Sequence, residues 1–176
     1  MSKSDAFLQA GKTAVLQNIH GTMQFLQRFP PFNQMENTHL AFLVEQCQLR
    51  FYGPGESIIR PTDGPVDHFY IVKQGRVVGE RTHVGREGAE TTFEITAGEC
   101  FPLAALLGER ATRTEHRAAE DTFCLQLNKP AFIKLFALSD EFRDFALRGV
   151  SKKPQRPWAL NIRSTPGSAN WPCAIR

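Results

Sequence analysis

No two cysteines in this 176-residue chain stand in a CxxC pair; the four present, Cys47, Cys100, Cys124 and Cys173, are far apart. That spacing argues against a zinc site and against a disulfide framework, and leaves the four as small core residues. No apolar run approaches the ~20 residues that cross a bilayer, and Met1-Ser2-Lys3-Ser4-Asp5 lacks the charged-then-apolar order of a secretory signal. A cytoplasmic protein without membrane association is expected. The five histidines, His20, His39, His68, His83 and His116, never fall in the HxH spacing that places two imidazoles on one strand face. No GxSxG elbow marks a nucleophile either. No metal, no cofactor and no enzymatic activity is therefore expected.

What is present is a globular composition: 41% apolar, 22% charged, and 14 Phe against two Tyr and two Trp. This much apolar material builds a core without staples. The net charge of +3 is uneven, because the last 26 residues hold Lys152, Lys153, Arg156, Arg163 and Arg176 and no acid. The first 150 residues therefore carry 3 − 5 = −2. A nucleic-acid partner is not expected, since such a partner needs a basic face.

Three segments follow from the pattern along the chain. Residues 1–24 form an N-terminal helical segment, with apolar residues at helical spacing interrupted by Gly11 and Gly21. Residues 25–150 form the main domain. Phe29-Pro30-Pro31-Phe32 breaks the first pattern, and Asn37 is placed to cap a helix bearing Leu40, Leu43 and Val44 that ends near Cys47. Beyond Gln48 the period changes to two. Strands are predicted at Leu49 to Tyr52, Ser57 to Ile59, Phe69 to Val72, Arg76 to Val78, around Phe93 and Ile95, and at Thr122 to Leu127, with Gly and Pro turns between them. In the last of these, Phe123, Leu125 and Leu127 share one side and Thr122, Cys124 and Gln126 the other. Helices follow at Lys129-Pro130 onward and from Asp140 to Leu147. Residues 151–176, with both tryptophans, four of eleven prolines and no apolar period, form a basic tail expected to be flexible. The fold class is mainly β with flanking helices, a jelly roll of about eight strands.

The order of these motifs resembles the cyclic nucleotide-binding domain family over roughly residues 25 to 148. Pro31-Phe32 with Leu40 and Leu43 resembles that family's leading helix, and Phe51-Tyr52-Gly53-Pro54-Gly55-Glu56-Ser57-Ile58-Ile59 resembles its first two strands with their Gly-Glu turn. Asp67-His68-Phe69-Tyr70-Ile71-Val72-Lys73-Gln74-Gly75-Arg76-Val77 resembles its most recognisable hairpin. The resemblance implies a β-roll of that type and a regulatory, non-enzymatic module. It also implies a ligand cassette between Gly98 and Thr114, where backbone N–H groups and a guanidinium hold a phosphodiester and a carboxylate accepts the ribose hydroxyl. Phe101-Pro102-Leu103 with Arg117-Ala118-Ala119-Glu120-Asp121-Thr122-Phe123 further resembles a branch of bacterial signal-transduction proteins that carry CBS and nucleotidyltransferase-like domains. Neither those domains nor a winged helix-turn-helix fits in the last 26 residues.

The cassette departs from the family pattern. Its Gly-Glu pair falls on Pro102-Leu103 and its phosphate arginine on Thr112, with Arg110 and Arg113 close by. Glu99 and Glu109 stand four residues before and six after the carboxylate position. The candidate ligand-binding residues are Phe101, Pro102, Leu103, Ala104, Arg110, Thr112, Arg113 and Thr114, and the candidate partner is a cyclic nucleotide or another anionic small molecule. Five apolar residues in a row, Leu103 to Leu107, more often form one buried helical turn than a ligand cradle. The alternative is a degenerate roll that binds nothing small and serves as an interaction or homodimerisation unit for a partner domain. A metal-dependent cupin enzyme is the remote third option.

Overall fold

A computed structural model describes residues 18–82 and 90–151. The tail beyond Ser151 and the first 17 residues of the N-terminal segment lie outside the described residues. The elements in chain order are a helix over 18–26 (α1), α2 (Asn37–Gln46), β1 (Gln48–Tyr52), β2 (Ser57–Ile59), a 3-10 turn at Pro61–Asp63, β3 (His68–Gln74), β4 (Val77–Thr82), β5 (Glu90–Ile95), β6 (Cys100–Phe101), α3 (Leu103–Leu107), β7 (Glu115–Ala118), β8 (Thr122–Asn128), α4 (Lys129–Leu138) and α5 (Asp140–Ser151). Among the described residues no helix is long and apolar enough to cross a membrane.

Among the described residues eight strands form two antiparallel sheets of a jelly roll, one in the order β1-β8-β3-β6 and the other β2-β7-β4-β5. The predicted strands are all present, each extended by one or more residues, except β2 at its predicted bounds and β4, which starts at Val77. The sequence pattern did not reveal β6 and β7. Two residues are too few to show a period, and the alternation in Glu115-His116-Arg117-Ala118 is masked by the polar nature of His116, which is buried with Ala118.

The first sheet carries apolar residues on both faces. Phe69, Ile71, Leu125 and Leu127 share one face through the pairs Phe69↔Leu127 and Ile71↔Leu125. Helices cover this face, for the Phe69 ring meets Phe132 of α4 at 5.3 Å and Phe142 of α5 at 5.8 Å. Tyr70, Val72, Cys124 and Gln126 share the other face, which looks into the roll. The second sheet alternates inward His116 and Ala118 with Glu115 and Arg117.

Local chemistry ends the helices where the sequence suggests, with one shift. The Asn128 side chain accepts from Ala131 N–H at 2.9 Å and so caps α4, with Pro130 in its first turn. The Ser139 hydroxyl accepts from Phe142 N–H at the start of α5. Asn37 is not the cap of α2: it is that helix's first residue, Glu36 holds the cap position, and the Asn37 side chain accepts from Gln27 at 3.0 Å. Cys124 is fully buried, while Cys47 and Cys100 are half-buried against the core. Burial pushes the Cys47 and Cys124 thiols up to about 12, so both stay protonated near neutrality.

Candidate functional site

The cassette region hangs from β6. Gly98, at φ 86°, makes the turn that delivers β6, and no larger residue fits, because a Cβ there would lie 2.3 Å from the Phe29 ring. Gly98 N–H donates to Val72 O at 2.8 Å, which ties the turn to β3. Phe101 then enters the roll. Its ring stacks on Tyr70 at 5.2 Å and 11° and, across the two sheets, on His116 at 4.8 Å and 18°. Phe93 meets His116 edge-on at 6.2 Å, and that ring lies over Gly79, where a Cβ would fall 2.4 Å from it. The roll interior is thus crossed by a run of rings, Tyr70, Phe101, His116 and Phe93, in which Gly79 makes the space for the last.

His116 is 3% exposed. Burial lowers its pKa to about 4, the nearby Thr114 carbonyl pulling the other way without winning, and Nδ1 makes no well-formed hydrogen bond. The imidazole is therefore neutral near pH 7 and acts as an aromatic filler. On the sheet beside it the Tyr70 hydroxyl accepts from Gln126 at 3.3 Å, and Gln126 accepts from Arg50 at 3.0 Å. Burial raises the Tyr70 phenol well above its ordinary value.

After a cis Phe101–Pro102 bond comes the single turn of α3, whose first two bonds, from Ala105 and Leu106 N–H, both close on Pro102 O. Leu103 stands where the resemblance places the ribose carboxylate. Its side chain packs toward α5, within 3.5 Å of where a Cβ on Gly149 would lie. Phe101 and Pro102 are buried, Leu103 is half-buried, and Ala104 is exposed. The chain then turns through Glu109 at φ 49°, Arg110 N–H donating to Ala105 O at 3.1 Å.

Thr112 stands where the resemblance places the phosphate arginine. It is 5% exposed, and its hydroxyl donates to Thr114 O at 3.0 Å and accepts from Thr114 N–H at 3.1 Å. Both sides of that hydroxyl are used to close the turn into β7. Arg110 and Arg113 are exposed, Thr114 half-buried. The two nearby carboxylates have other partners: Glu99 accepts from Thr96 N–H at 2.6 Å, and Glu109 pairs with Lys129 at 2.9 Å, which lowers its pKa. The structure therefore brings Phe101, Pro102 and Thr112 into the protein and leaves Ala104, Arg110 and Arg113 at its surface.

One feature beside the cassette was not legible in the sequence. Segment 64–66 runs antiparallel to 110–112, with Pro65 bridged to Ala111 and Val66 N–H donating to Arg110 O at 3.2 Å. Behind it lies a cleft of about 140 Å³ bordered by β2, the 63–67 loop and the start of β3. Tyr70 lines both this cleft and the run of rings. Among the described residues no group of three or more His, Cys, Asp or Glu side chains could hold a metal ion.

The family profile described as Cyclic nucleotide-binding domain matches residues 49–139, more than half of the chain. Among solved structures the fold is similar to the regulatory subunit of a cAMP-independent protein kinase A from Trypanosoma brucei, in a form with three substitutions, one of them threonine to arginine, bound to cAMP in the A site. The TM-score is 0.68 at 19% identity, over 80% of this chain and 50% of that one. The corresponding subunit from Trypanosoma cruzi, bound to guanosine, gives 0.68 at 19% identity, over 78% and 48%. The catabolite activator protein of Thermus thermophilus gives 0.55 at 27% identity, over 65% and 53%. The chain spans about half the length of each.

Proposed function

This chain belongs to the cyclic nucleotide-binding domain family, and on that premise we propose that it is a non-enzymatic regulatory or sensor module whose cassette recognises a nucleoside or nucleotide without clamping its phosphate. The observation that carries the reading is Thr112, buried and with its hydroxyl bonded on both sides to Thr114, in the place of the clamping guanidinium. Leu103 adds to it, an apolar side chain packed toward α5 in the place of the ribose acceptor. Phe101, Pro102, Leu103, Ala104, Arg110, Thr112, Arg113 and Thr114 border the ligand in this proposal. A phosphate, where the ligand has one, meets Arg110 or Arg113 at the surface, where water and salt screen the contact to about 1 kcal/mol or less. Two likenesses support the reading: a trypanosomal regulatory subunit carries cAMP in a form with a threonine replaced by arginine, and another carries guanosine, which has no phosphate. A cytoplasmic setting and a place in the bacterial signal-transduction branch belong to the same proposal.

Calorimetric titration of the whole chain with cAMP, cGMP, a 5′-mononucleotide and the matching nucleoside tests it. Nucleoside and 5′-mononucleotide are expected to bind within ~10-fold of each other, since a screened surface contact adds little, with the cyclic nucleotides weaker. Submicromolar binding of cAMP to the unaltered chain would overturn the reading.

A second reading, an interaction unit, has its own observation. Edge strand β1 exposes Leu49 at 52% and Phe51 at 54%, the Phe51 ring 5.1 Å from Phe123. Exposed apolar side chains on a strand edge that no described residue pairs suit pairing with another chain. Sedimentation equilibrium of the wild type and of Phe51→Lys separates the two, because an association that Phe51→Lys abolishes is required by this reading and not by the first.

A further inference from the structure

The cleft beside the cassette has a chemistry of its own. Its volume of about 140 Å³ is close to that of engineered cavities that take a single benzene-sized ring. Ile58 and Ile59 of β2 form an apolar wall. The rings of Tyr70 and His68, 6.3 Å apart, also line the cleft, with Tyr70 only 6% exposed. A flat ring suits such walls better than an alkyl chain, because both aromatic faces and branched side chains offer broad contact to a plane.

Besides His68 and Tyr70, the side chains of Asp63 and Asp67, both exposed, bring polar groups to the cleft. One oxygen of Asp63 accepts from Arg60 N–H at 2.8 Å, and one oxygen of Asp67 faces His68 Nδ1. An ionised carboxylate only accepts, and its two oxygens offer about four lone-pair sites, so each keeps capacity after these contacts. Among the described residues no Lys or Arg lines the cleft. It therefore disfavours a phosphate and favours a group that donates.

We propose that this cleft holds a planar heterocycle carrying adjacent N–H and NH₂ donors, the chemistry of the guanine edge, with Asp63 and Asp67 as acceptors and the Tyr70 and His68 rings beside its plane. The proposal rests on the reading of the chain as a nucleoside- or nucleotide-binding module and assigns the base to a place outside residues 101–114. Because segment 64–66 is bonded directly to 110–112, a base in the cleft leaves its sugar beside the cassette.

The test is titration of the whole chain with guanosine and adenosine, in the wild type and in Asp63→Asn/Asp67→Asn, with folding checked by thermal melts. Guanosine is expected to bind ~3- to 30-fold more tightly than adenosine, and the double variant to lose as much for guanosine, as two exposed, solvent-screened contacts allow, with adenosine unchanged. If guanosine binds but neither the base preference nor the loss in the folded double variant is seen, the cleft assignment is overturned and the module reading stands. If no nucleoside or nucleotide binds at all, both fall together.

Discussion

Among the described residues the two sheets have four strands each and differ in what they face. In the first, β3 reads Phe69-Tyr70-Ile71-Val72 and all four residues are buried, because helices lie on one side and the roll interior on the other. In the second, β7 buries only alternate residues, and its outer face carries Glu115, which accepts from Ser57 and pairs with Arg117 at 3.0 Å. One sheet is held by area removed from water on both faces, the other by area on one face and by solvated charge on the other. Substitutions should therefore cost much in the first and little on the outside of the second, and the ring run between them should respond to pH.

The largest effect is expected at Phe69, fully buried between Phe132 and Phe142. Phe69→Ala should cost ~3 to 5 kcal/mol in urea unfolding, through lost transfer energy and a cavity between sheet and helices. A cost under ~1 kcal/mol would erase the contrast between the two sheets.

Next comes His116, whose folded pKa of about 4 lies below the ordinary ~6.5 of an unfolded histidine. Between those values the unfolded chain binds more protons, so stability rises with pH across the window and is lost as pH falls through it. The contribution is fully present above pH ~6.5 and amounts to up to ~3 kcal/mol. His116→Phe, which keeps the stack on Phe101, should flatten the stability profile between pH 6.5 and 4. An unchanged slope in that variant would mean that other groups set it.

The smallest effect belongs to the outer face of the second sheet. Arg117→Ala should cost less than ~1 kcal/mol, since part-exposed pairs rarely contribute more, and the cost should shrink further in 0.5 M salt. The Ser57 hydrogen bond, then Arg117, hold the Glu115 carboxyl below its ordinary pKa, so this small contribution too fades as pH falls through the acid range.

Much of the first sheet and its helices could be read in the sequence because long runs with Gly and Pro between them carry their own period. The two-sided burial of β8 could not. Thr122, Cys124 and Gln126 alternate with Phe123, Leu125 and Leu127 as a half-solvated strand would, yet Thr122 and Cys124 are fully buried because their side is the inside of the roll. For the cassette the sequence offers only what the resemblance implies, departures from the family pattern at Leu103 and Thr112. How those two positions are used was not legible, since the packing of Leu103 toward α5 and the Thr112–Thr114 turn depend on partners that the sequence does not rank. The cleft is the least legible feature. It exists because 64–66 lies against 110–112, some 45 residues away, and no local period records that apposition.

On the proposed reading the roll is intact, and the side chains at Pro102, Leu103 and Thr112 are what separate it from a phosphate-clamping one. The direct measurement is a cAMP titration of the wild type, of Leu103→Glu/Thr112→Arg, and of the triple variant that adds Pro102→Gly to return an N–H and a free φ to the turn. Two restored charge-assisted contacts of ~1.5 to 3 kcal/mol each, less ~1 kcal/mol for the Thr112–Thr114 bonds given up, should tighten binding by ~30- to 5,000-fold, with the triple variant tightest. The account is contradicted if folded double and triple variants bind cAMP no better than the wild type.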